Sequence, residues 1–285
     1  MSFFQNALDA LRLSVAKKYR PKFVLTIWLK SQLNKDWDMY VSGFDALSVK
    51  FCDGSKAYKK KNAAEIIAKA DDLNMEAHGW GFHYCTSVED AKKEGEIAAG
   101  LCEELSVCAY HWNAEKQWAG SDDPEEYAIA FAETFKLHAP DVALFANCFS
   151  APVTKEMIEY FDYYEPMIYG TRLSTIATKF QKRFDSPGVP KGKRCAMVGT
   201  GRKNPKNPKQ AWGYLNSVGK DDKQRGLDRL IPHFKPTYVN YFRAGLIGKE
   251  DIMMEPNDIN PVLSEQVLKI KGLFPGSQDN VNQRS

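Results

Sequence analysis

The chain has 285 residues, of which 44% are hydrophobic and 26% are charged, close to the averages for globular proteins with a sizeable core. This composition excludes an intrinsically disordered chain, a collagen-like fibre and a disulfide-dense miniprotein. Lys and Arg total 39 against 36 Asp and Glu, a net charge of +3, which is too small to indicate nucleic acid or a membrane as a partner. No apolar run approaches the roughly 18 residues that a membrane span needs.

The first segment, residues 1–20, is predicted to form an amphipathic helix outside the main domain. Gln5, Asn6 and Asp9 interrupt its apolar residues, and its cations come last. A secretory signal has the opposite order, with cations first and an uninterrupted apolar stretch after them. We therefore expect a protein that is cytoplasmic at synthesis.

Eight apolar, β-branched or aromatic runs follow in chain order, alternating with helical patterns. The runs lie at 23–29, 45–51, 75–84, 107–115, 142–148, 164–170, 194–199 and 237–242. The helical patterns lie at 63–73, 88–105, 124–138, 154–161, 172–184, 220–230 and 261–273. This alternation predicts an α/β fold, a single (β/α)8 TIM barrel over 21–275. An open doubly wound sheet is the alternative, but it usually has a Gly-rich loop after its first strand, and LKSQLNKDWDMY (29–40) contains no glycine.

A long basic connection follows the seventh predicted strand. The segment GTGRKNPKNPKQAWGY (199–214) contains four cations and no acid, and it is longer than an ordinary strand-to-helix loop. We expect it to border the functional cleft and to contact an anionic or glycan ligand, with a merely solvated loop as the alternative. The last residues, 276–285, are predicted to be a disordered tail.

Cysteines and histidines give no metal or cofactor motif. The six cysteines have no C-x-x-C spacing, which favours buried free thiols. His78 and His83 lie five residues apart on one strand and so face opposite sides. We therefore expect satisfied core or rim histidines, no metal and no cofactor. No G-x-S-x-G elbow, Walker loop or dinucleotide fingerprint occurs.

The richest chemistry lies at the end of the fourth predicted strand. Alternation puts His111, Asn113 and Glu115 on one face, and Glu115 comes last, where active sites of barrels are built. A carboxyl in a partly apolar pocket there has the raised pKa that a general acid needs. A solvated loop carboxylate is the alternative. The second carboxylate of a glycosidase would be Asp53 or Glu165, although each also has a plain structural interpretation, as a turn or an early strand residue.

Further polar and aromatic residues fall at the same strand ends and are the candidates for substrate binding. They are Lys50, Trp80, His111, Trp112, Asn113, Asn147, Tyr169 and Asn240. Trp80, Trp112 and Tyr169 are predicted to form a sugar-stacking surface, because apolar sugar faces pack on aromatic rings.

The succession of these motifs resembles the glycoside hydrolase-like TIM-barrel domain of bacterial and bacteriophage cell-wall-associated proteins. The resemblance covers about 23–171 and is carried by DALSVKFCDGS (45–55), LNMEAHGWGFHYC (73–85), VCAYHWNAEKQW (107–118), VALFANCFSAP (142–152) and YYEPMIYGT (163–171). The Lys and Asp-Gly of that family correspond to Lys50 and Asp53-Gly54, and its G-W-G corresponds to Gly79-Trp80-Gly81. Its Asp-Ala-Glu corresponds to Asn113-Ala114-Glu115, and its Pro-Gln-x-Tyr to Pro166-Met167-Ile168-Tyr169.

The resemblance implies a glycoside hydrolase acting on an amino-sugar polymer such as peptidoglycan. Two positions depart from the family pattern, since Asn113 replaces an acid and Met167 replaces a glutamine. The amide of Asn113 would then orient a substrate N-acetyl group or a water. The competing interpretation is a non-catalytic barrel that binds a glycan or another protein, as a component of a phage particle or a cell surface. The sequence does not indicate an oligomeric state.

Overall fold

Eight parallel strands close into a barrel in the computed structural model, which describes residues 21–30, 41, 44–148, 153–168, 173–199, 203–204, 207–211 and 234–242. The barrel strands are β1 (Lys22–Ile27), β2 (Ala46–Asp53), β4 (Glu76–His83), β5 (Ala109–Ala114), β6 (Ala143–Cys148), β7 (Tyr163–Ile168), β8 (Cys195–Gly199) and β11 (Tyr238–Phe242). Each strand pairs in parallel with the next, and β1 pairs with both β2 and β11. This closure confirms the predicted (β/α)8 barrel and excludes the open doubly wound sheet.

Three short strands lie outside the barrel wall. β3 (Lys56–Ala57) turns back antiparallel on the end of β2. The described parts of the long connection after β8 are β9 (Lys203–Asn204) and β10 (Asn207–Ala211), which pair antiparallel with each other. The remainder of the predicted basic loop at 199–214 lies outside the described residues, so its predicted contact with a ligand stays a prediction. The predicted helices at 1–20, 220–230 and 261–273 and the tail at 276–285 also lie outside them.

Helices follow the strands as predicted; the bounds of two match those predicted at 88–105 and 124–138, and the ends of the other predicted helices shift by one to three residues. They are α1 (Lys60–Asp72), α2 (Val88–Leu105), α3 (Lys116–Ala119), α4 (Pro124–His138), α5 (Lys155–Glu159) and α6 (Leu173–Asp185). Side-chain caps explain several of the starts. Ser87 accepts from the Asp90 amide and Asp123 accepts from the Glu126 amide, directly before Pro124 at the first turn. Among the described helices, none is long and apolar enough to cross a membrane.

The barrel interior has an apolar floor and a polar centre. The floor lies near the amino ends of the strands and consists of Val24, Ala46, Ala109, Phe145, Cys195 and Tyr238. Above it, the buried polar side chains of the wall point inward, and they include Thr26, Ser48, His78, His111, Asn147, Glu165 and Asn240. The larger apolar core lies outside the wall, between the strands and the helices. Apolar burial between barrel and helices therefore stabilises the fold, while the interior carries the polar groups.

Two glycines of β4 let outward-facing side chains of neighbouring strands approach its backbone. A Cβ built on Gly79 would lie 2.0 Å from the ring of Phe51, and one on Gly81 would lie 2.1 Å from the hydroxyl of Tyr110. Trp80, between them, points inward. The Gly79-Trp80-Gly81 motif is thus explained by packing on one face and by the interior on the other.

We predict that Gly79→Ala lowers the free energy of unfolding by about 1–3 kcal/mol, because the added methyl group overpacks the space that Phe51 fills. Gly100→Ala is the matched control. Gly100 lies inside α2, and apart from the helix's own backbone no atom of the described residues lies within 4 Å of a built Cβ. This substitution should therefore raise stability by about 0.5–1 kcal/mol through helix propensity alone. Urea unfolding of both variants measures the difference, and equal stabilities would contradict the packing role of Gly79.

The cysteine prediction is confirmed for five of the six positions. All six cysteines are described and free; Cys52, Cys85, Cys102, Cys148 and Cys195 are buried, while Cys108 is exposed. Burial raises the pKa of the Cys52 thiol to about 12, which keeps it in the unreactive protonated form.

Candidate active site

Glu115 lies at the carboxyl end of β5, where the wall opens. The strand ends at Ala114, and Glu115 directly precedes the short helix α3. Partial burial raises the pKa of the Glu115 carboxyl, while a hydrogen bond with Asn113 and the charge of Lys116 act in the opposite direction. A carboxyl that keeps its proton to higher pH is suited to donate that proton.

Asn113 stands beside Glu115 on the inner face of the same strand. Its side chain is buried and hydrogen-bonds to the Glu115 carboxyl. Its Oδ1 is buried and, among the described residues, has no hydrogen-bond partner. A buried acceptor without a partner is costly, and it is therefore a position where a ligand N–H group is favoured.

Asp53 lies at the carboxyl end of β2 and is held by two neighbours. Lys50 Nζ lies 2.7 Å from Asp53 Oδ2, and the Tyr84 hydroxyl donates to Oδ1 across 3.1 Å. Both carboxyl oxygens of Asp53 are therefore already engaged, one by the Lys50 ammonium group and one by a hydroxyl.

The ammonium group of Lys50 is surrounded by aromatic rings. Its Nζ lies 4.5 Å from the ring centroid of Tyr58 and 5.3 Å from those of Trp28 and Trp80, with Phe82 at 5.9 Å. Cation–π attraction and the ion pair together compensate for the burial of this charge. Sequence reasoning identified Lys50 and Trp80 but missed the other three rings; the inward alternation of Phe82 with Trp80 was an available signal.

Trp80 is mostly covered by this cluster. Its side chain is inward-facing and only 4% exposed, and its indole N–H donates to the Ile27 carbonyl across 3.0 Å. It forms edge contacts with Trp28 and Phe242. Trp80 thus leaves little ring surface for the sugar stacking predicted from the sequence.

The prediction for Trp112 is wrong. Trp112 follows His111 on β5, so alternation turns it outward, away from the cleft. It is completely buried between the wall and the helices, against Trp118, Phe131 and Phe161. It therefore cannot stack on a sugar and belongs to the outer core. Tyr169, the third predicted stacking residue, lies outside the described residues.

Glu165 lies in the barrel interior rather than at its mouth. The side chain has no exposed surface, and its Oε2 accepts hydrogen bonds from Asn147 Nδ2 at 2.6 Å, His111 Nδ1 at 2.9 Å and Asn240 Nδ2 at 3.4 Å. Asn240 in turn accepts from the Thr26 hydroxyl at 2.6 Å. Four predicted site residues, His111, Asn147, Glu165 and Asn240, are thus brought together in one cluster.

A second histidine continues this cluster toward the opposite end of the barrel. His78 Nδ1 lies 3.1 Å from His111 Nε2, and His78 Nε2 lies 3.3 Å from Glu76 Oε2. Burial lowers the pKa of His78 to about 4, although the Glu76 carboxylate acts in the opposite direction. His83, by contrast, faces outward and contacts Glu94 and Tyr110, which confirms that the two histidines of β4 lie on opposite faces.

We predict that Glu115→Gln makes the protein more stable at neutral pH. A carboxyl whose folded pKa is raised contributes stability below its ordinary pKa and loses it as the pH rises through the raised value. Glutamine has no proton to lose, so the variant escapes this loss and keeps the hydrogen bond with Asn113. Urea unfolding at pH 4 and pH 7 should show a stability difference between variant and wild type only at pH 7; a difference that is the same at both values would contradict the raised pKa.

The described architecture defines a TIM barrel with a protonatable carboxyl at the carboxyl ends of its strands, where barrel enzymes place their active sites. No protein-family model matches the chain, and no curated protein does. Solved structures with the same fold, by contrast, do match the chain. A chitinase from Rhizomucor miehei has a TM-score of 0.63 at 11% identity over 85% of this chain and 99% of that one.

Two further structures extend this likeness. The spore cortex-lytic enzyme SleL from Bacillus megaterium has a TM-score of 0.62 at 12% identity, over 87% of this chain and 74% of that one. A GH18 chitinase from Cycas revoluta in complex with allosamidin has a TM-score of 0.61 at 9% identity, over 86% of this chain and 99% of that one. These similarities confirm the barrel fold predicted from the sequence.

Proposed function

We propose that the chain is a glycoside hydrolase that cleaves a polymer of N-acetylated amino sugars, such as peptidoglycan or chitin. The observation that carries this proposal is the partly buried Glu115 with its raised pKa, hydrogen-bonded to Asn113 at the carboxyl end of a barrel strand. The fold shared with two chitinases and a spore cortex-lytic enzyme supports the substrate class.

Glu115 acts as the general acid. Glycosidic cleavage needs a proton on the leaving oxygen as the bond to the anomeric carbon breaks. The carboxyl of Glu115 supplies this proton, and the resulting carboxylate then accepts a proton from the attacking water. Asn113 and Lys116 favour the carboxylate, so they assist the first transfer without abolishing the raised pKa.

The second reacting group is the substrate's own acetamido oxygen. Asp53 is already paired with Lys50, and Glu165 is enclosed in the interior and held by three side chains. In substrate-assisted glycosidases the acetamido oxygen of the substrate takes the place of the carboxylate nucleophile. In this mechanism the acetamido oxygen bonds to the anomeric carbon while the glycosidic bond breaks, and water then reopens the cyclic intermediate.

Asn113 orients the acetamido group. Its Oδ1, which has no partner within the described part of the chain, accepts the N–H of the substrate, and this turns the acetamido carbonyl toward the anomeric carbon. This role explains how an amide serves at a position where the resembled family has an acid.

The second candidate function is a non-catalytic glycan-binding barrel, in a phage particle or on a cell surface. The same asparagine favours it, because the strand end carries one acid where the resembled family has two. Such a module retains polymer without cutting it.

Release of reducing ends separates the two functions. We expect the wild-type protein to release them from N-acetylglucosamine oligomers or from peptidoglycan, and Asn113→Ala to lower the rate. Glu133→Gln is the control for a substitution away from the strand ends, because Glu133 is an exposed carboxylate on α4. It should keep the wild-type rate. Retention of both polymers with no release of reducing ends would reject the hydrolase and support the binding module.

A further inference from the structure

We propose that Glu76, His78 and Cys108 form a zinc site at the amino-terminal end of the barrel, opposite the proposed active site. One ligand atom from each residue lies within 4.8 Å of the other two. A thiolate, an imidazole and a carboxylate are the side chains that Zn²⁺ prefers. This site is independent of the proposed hydrolase activity.

Local structure brings the three residues together. Glu76 and His78 are two residues apart at the start of β4 and therefore share its inner face. Cys108 directly precedes β5, and its backbone N–H donates to the Ala77 carbonyl across 3.0 Å. That bond fixes the cysteine beside the two β4 side chains.

The spacing between the donor atoms fits a tetrahedral ion. His78 Nε2 and Glu76 Oε2 lie 3.3 Å apart. Two such atoms bound to one tetrahedral zinc at about 2.0–2.1 Å are separated by about the same distance. Cys108 is exposed and Glu76 is partly exposed, so an ion can enter from solvent and keep water as its fourth ligand.

The hydrogen-bond chain through the barrel leaves one ring nitrogen of His78 facing this position. His78 Nδ1 lies 3.1 Å from His111 Nε2, and His111 Nδ1 lies 2.9 Å from Glu165 Oε2. His78 Nδ1 is thus engaged inside the barrel, while His78 Nε2 faces Glu76 Oε2 and is the nitrogen that can bind a metal ion. The bond from His78 to His111 also fixes the ring as metal-bound histidines are usually fixed.

Lys22 modulates the site. It forms an ion pair with Glu76 Oε1, which leaves Oε2 for the metal. Its positive charge opposes a bound cation, so Lys22→Met is expected to tighten zinc binding.

Titration with Zn²⁺, and with Co²⁺ as a spectroscopic substitute, tests the proposal. We expect one Zn²⁺ per chain and, with Co²⁺, the near-ultraviolet absorption of a thiolate-to-metal bond. Cys108→Ser should abolish that absorption. Cys108→Ser and Glu76→Gln should each weaken Zn²⁺ binding at least about tenfold, the loss that follows even from removing an outer-shell partner.

Glu65→Gln is the matched control. Glu65 is also a surface carboxylate paired with a lysine, Lys30, but it has neither histidine nor cysteine beside it among the described ligand groups. This variant should bind Zn²⁺ as the wild type does. Failure of the wild type to bind Zn²⁺ at micromolar concentration, or unchanged binding by folded Cys108→Ser, would overturn the proposal.

Discussion

Glu115→Gln is expected to reduce the turnover of N-acetylated glycan by a factor on the order of 10² to 10⁴, the usual contribution of a general acid. Glutamine keeps the shape of the side chain and the hydrogen bond with Asn113, but it has no proton to give to the leaving oxygen. Substrate binding should change little, so the loss falls on kcat rather than on KM.

The pH dependence of turnover supplies a second readout for Glu115. The wild-type rate should decline as the pH rises through the raised pKa of this carboxyl, because only the protonated form donates. The residual activity of Glu115→Gln should lack that decline. The control Glu133→Gln should match the wild type in rate and pH profile. Undiminished turnover by Glu115→Gln would remove Glu115 from the mechanism.

Glu165→Ala is expected to lower the free energy of unfolding by about 3–5 kcal/mol, because it breaks a buried hydrogen-bond network and leaves a cavity. Glu165 Oε2 is the common acceptor for His111, Asn147 and Asn240 in the barrel interior. Alanine leaves these donors buried beside a cavity, and each unsatisfied donor costs about 1–3 kcal/mol. Urea unfolding measures the loss.

Glu165→Gln serves as the comparison for this substitution. It retains one acceptor oxygen but places an amide group at the Oε1 position, which has no partner among the described residues. Its loss should therefore be smaller than that of Glu165→Ala. A loss below about 1 kcal/mol for the alanine variant would show that the cluster does not stabilise the barrel.

The eight strands could be predicted because each is a local property of the sequence. Alternate residues of a strand face the same side, so the pattern of an apolar run indicates which residues face inward. This rule placed His111 and Asn113 correctly. Trp112 was misplaced although the same rule turns it outward. Its closeness to Glu115 in the sequence does not place it in the site, because consecutive residues of a strand face opposite sides.

Contacts across strands could not be predicted in the same way. The ring cluster around Lys50 joins residues of β2 and β4 with Trp28, which directly follows β1. The Glu76, His78 and Cys108 group depends on how β4 aligns with β5. Strand register fixes these contacts, and it follows from closure of the whole barrel. The interior position of Glu165 likewise depends on the height of β7 relative to its neighbours.

A crystal structure of Glu115→Gln with a bound N-acetylglucosamine oligomer tests the central claim most directly. The account predicts the glycosidic oxygen within hydrogen-bond distance of the substituted side chain at position 115. It also predicts the acetamido N–H donating to Asn113 Oδ1, with the acetamido oxygen directed at the anomeric carbon. An oligomer bound with its glycosidic bonds away from position 115, or with a protein carboxylate at the anomeric carbon in place of the acetamido oxygen, would contradict it.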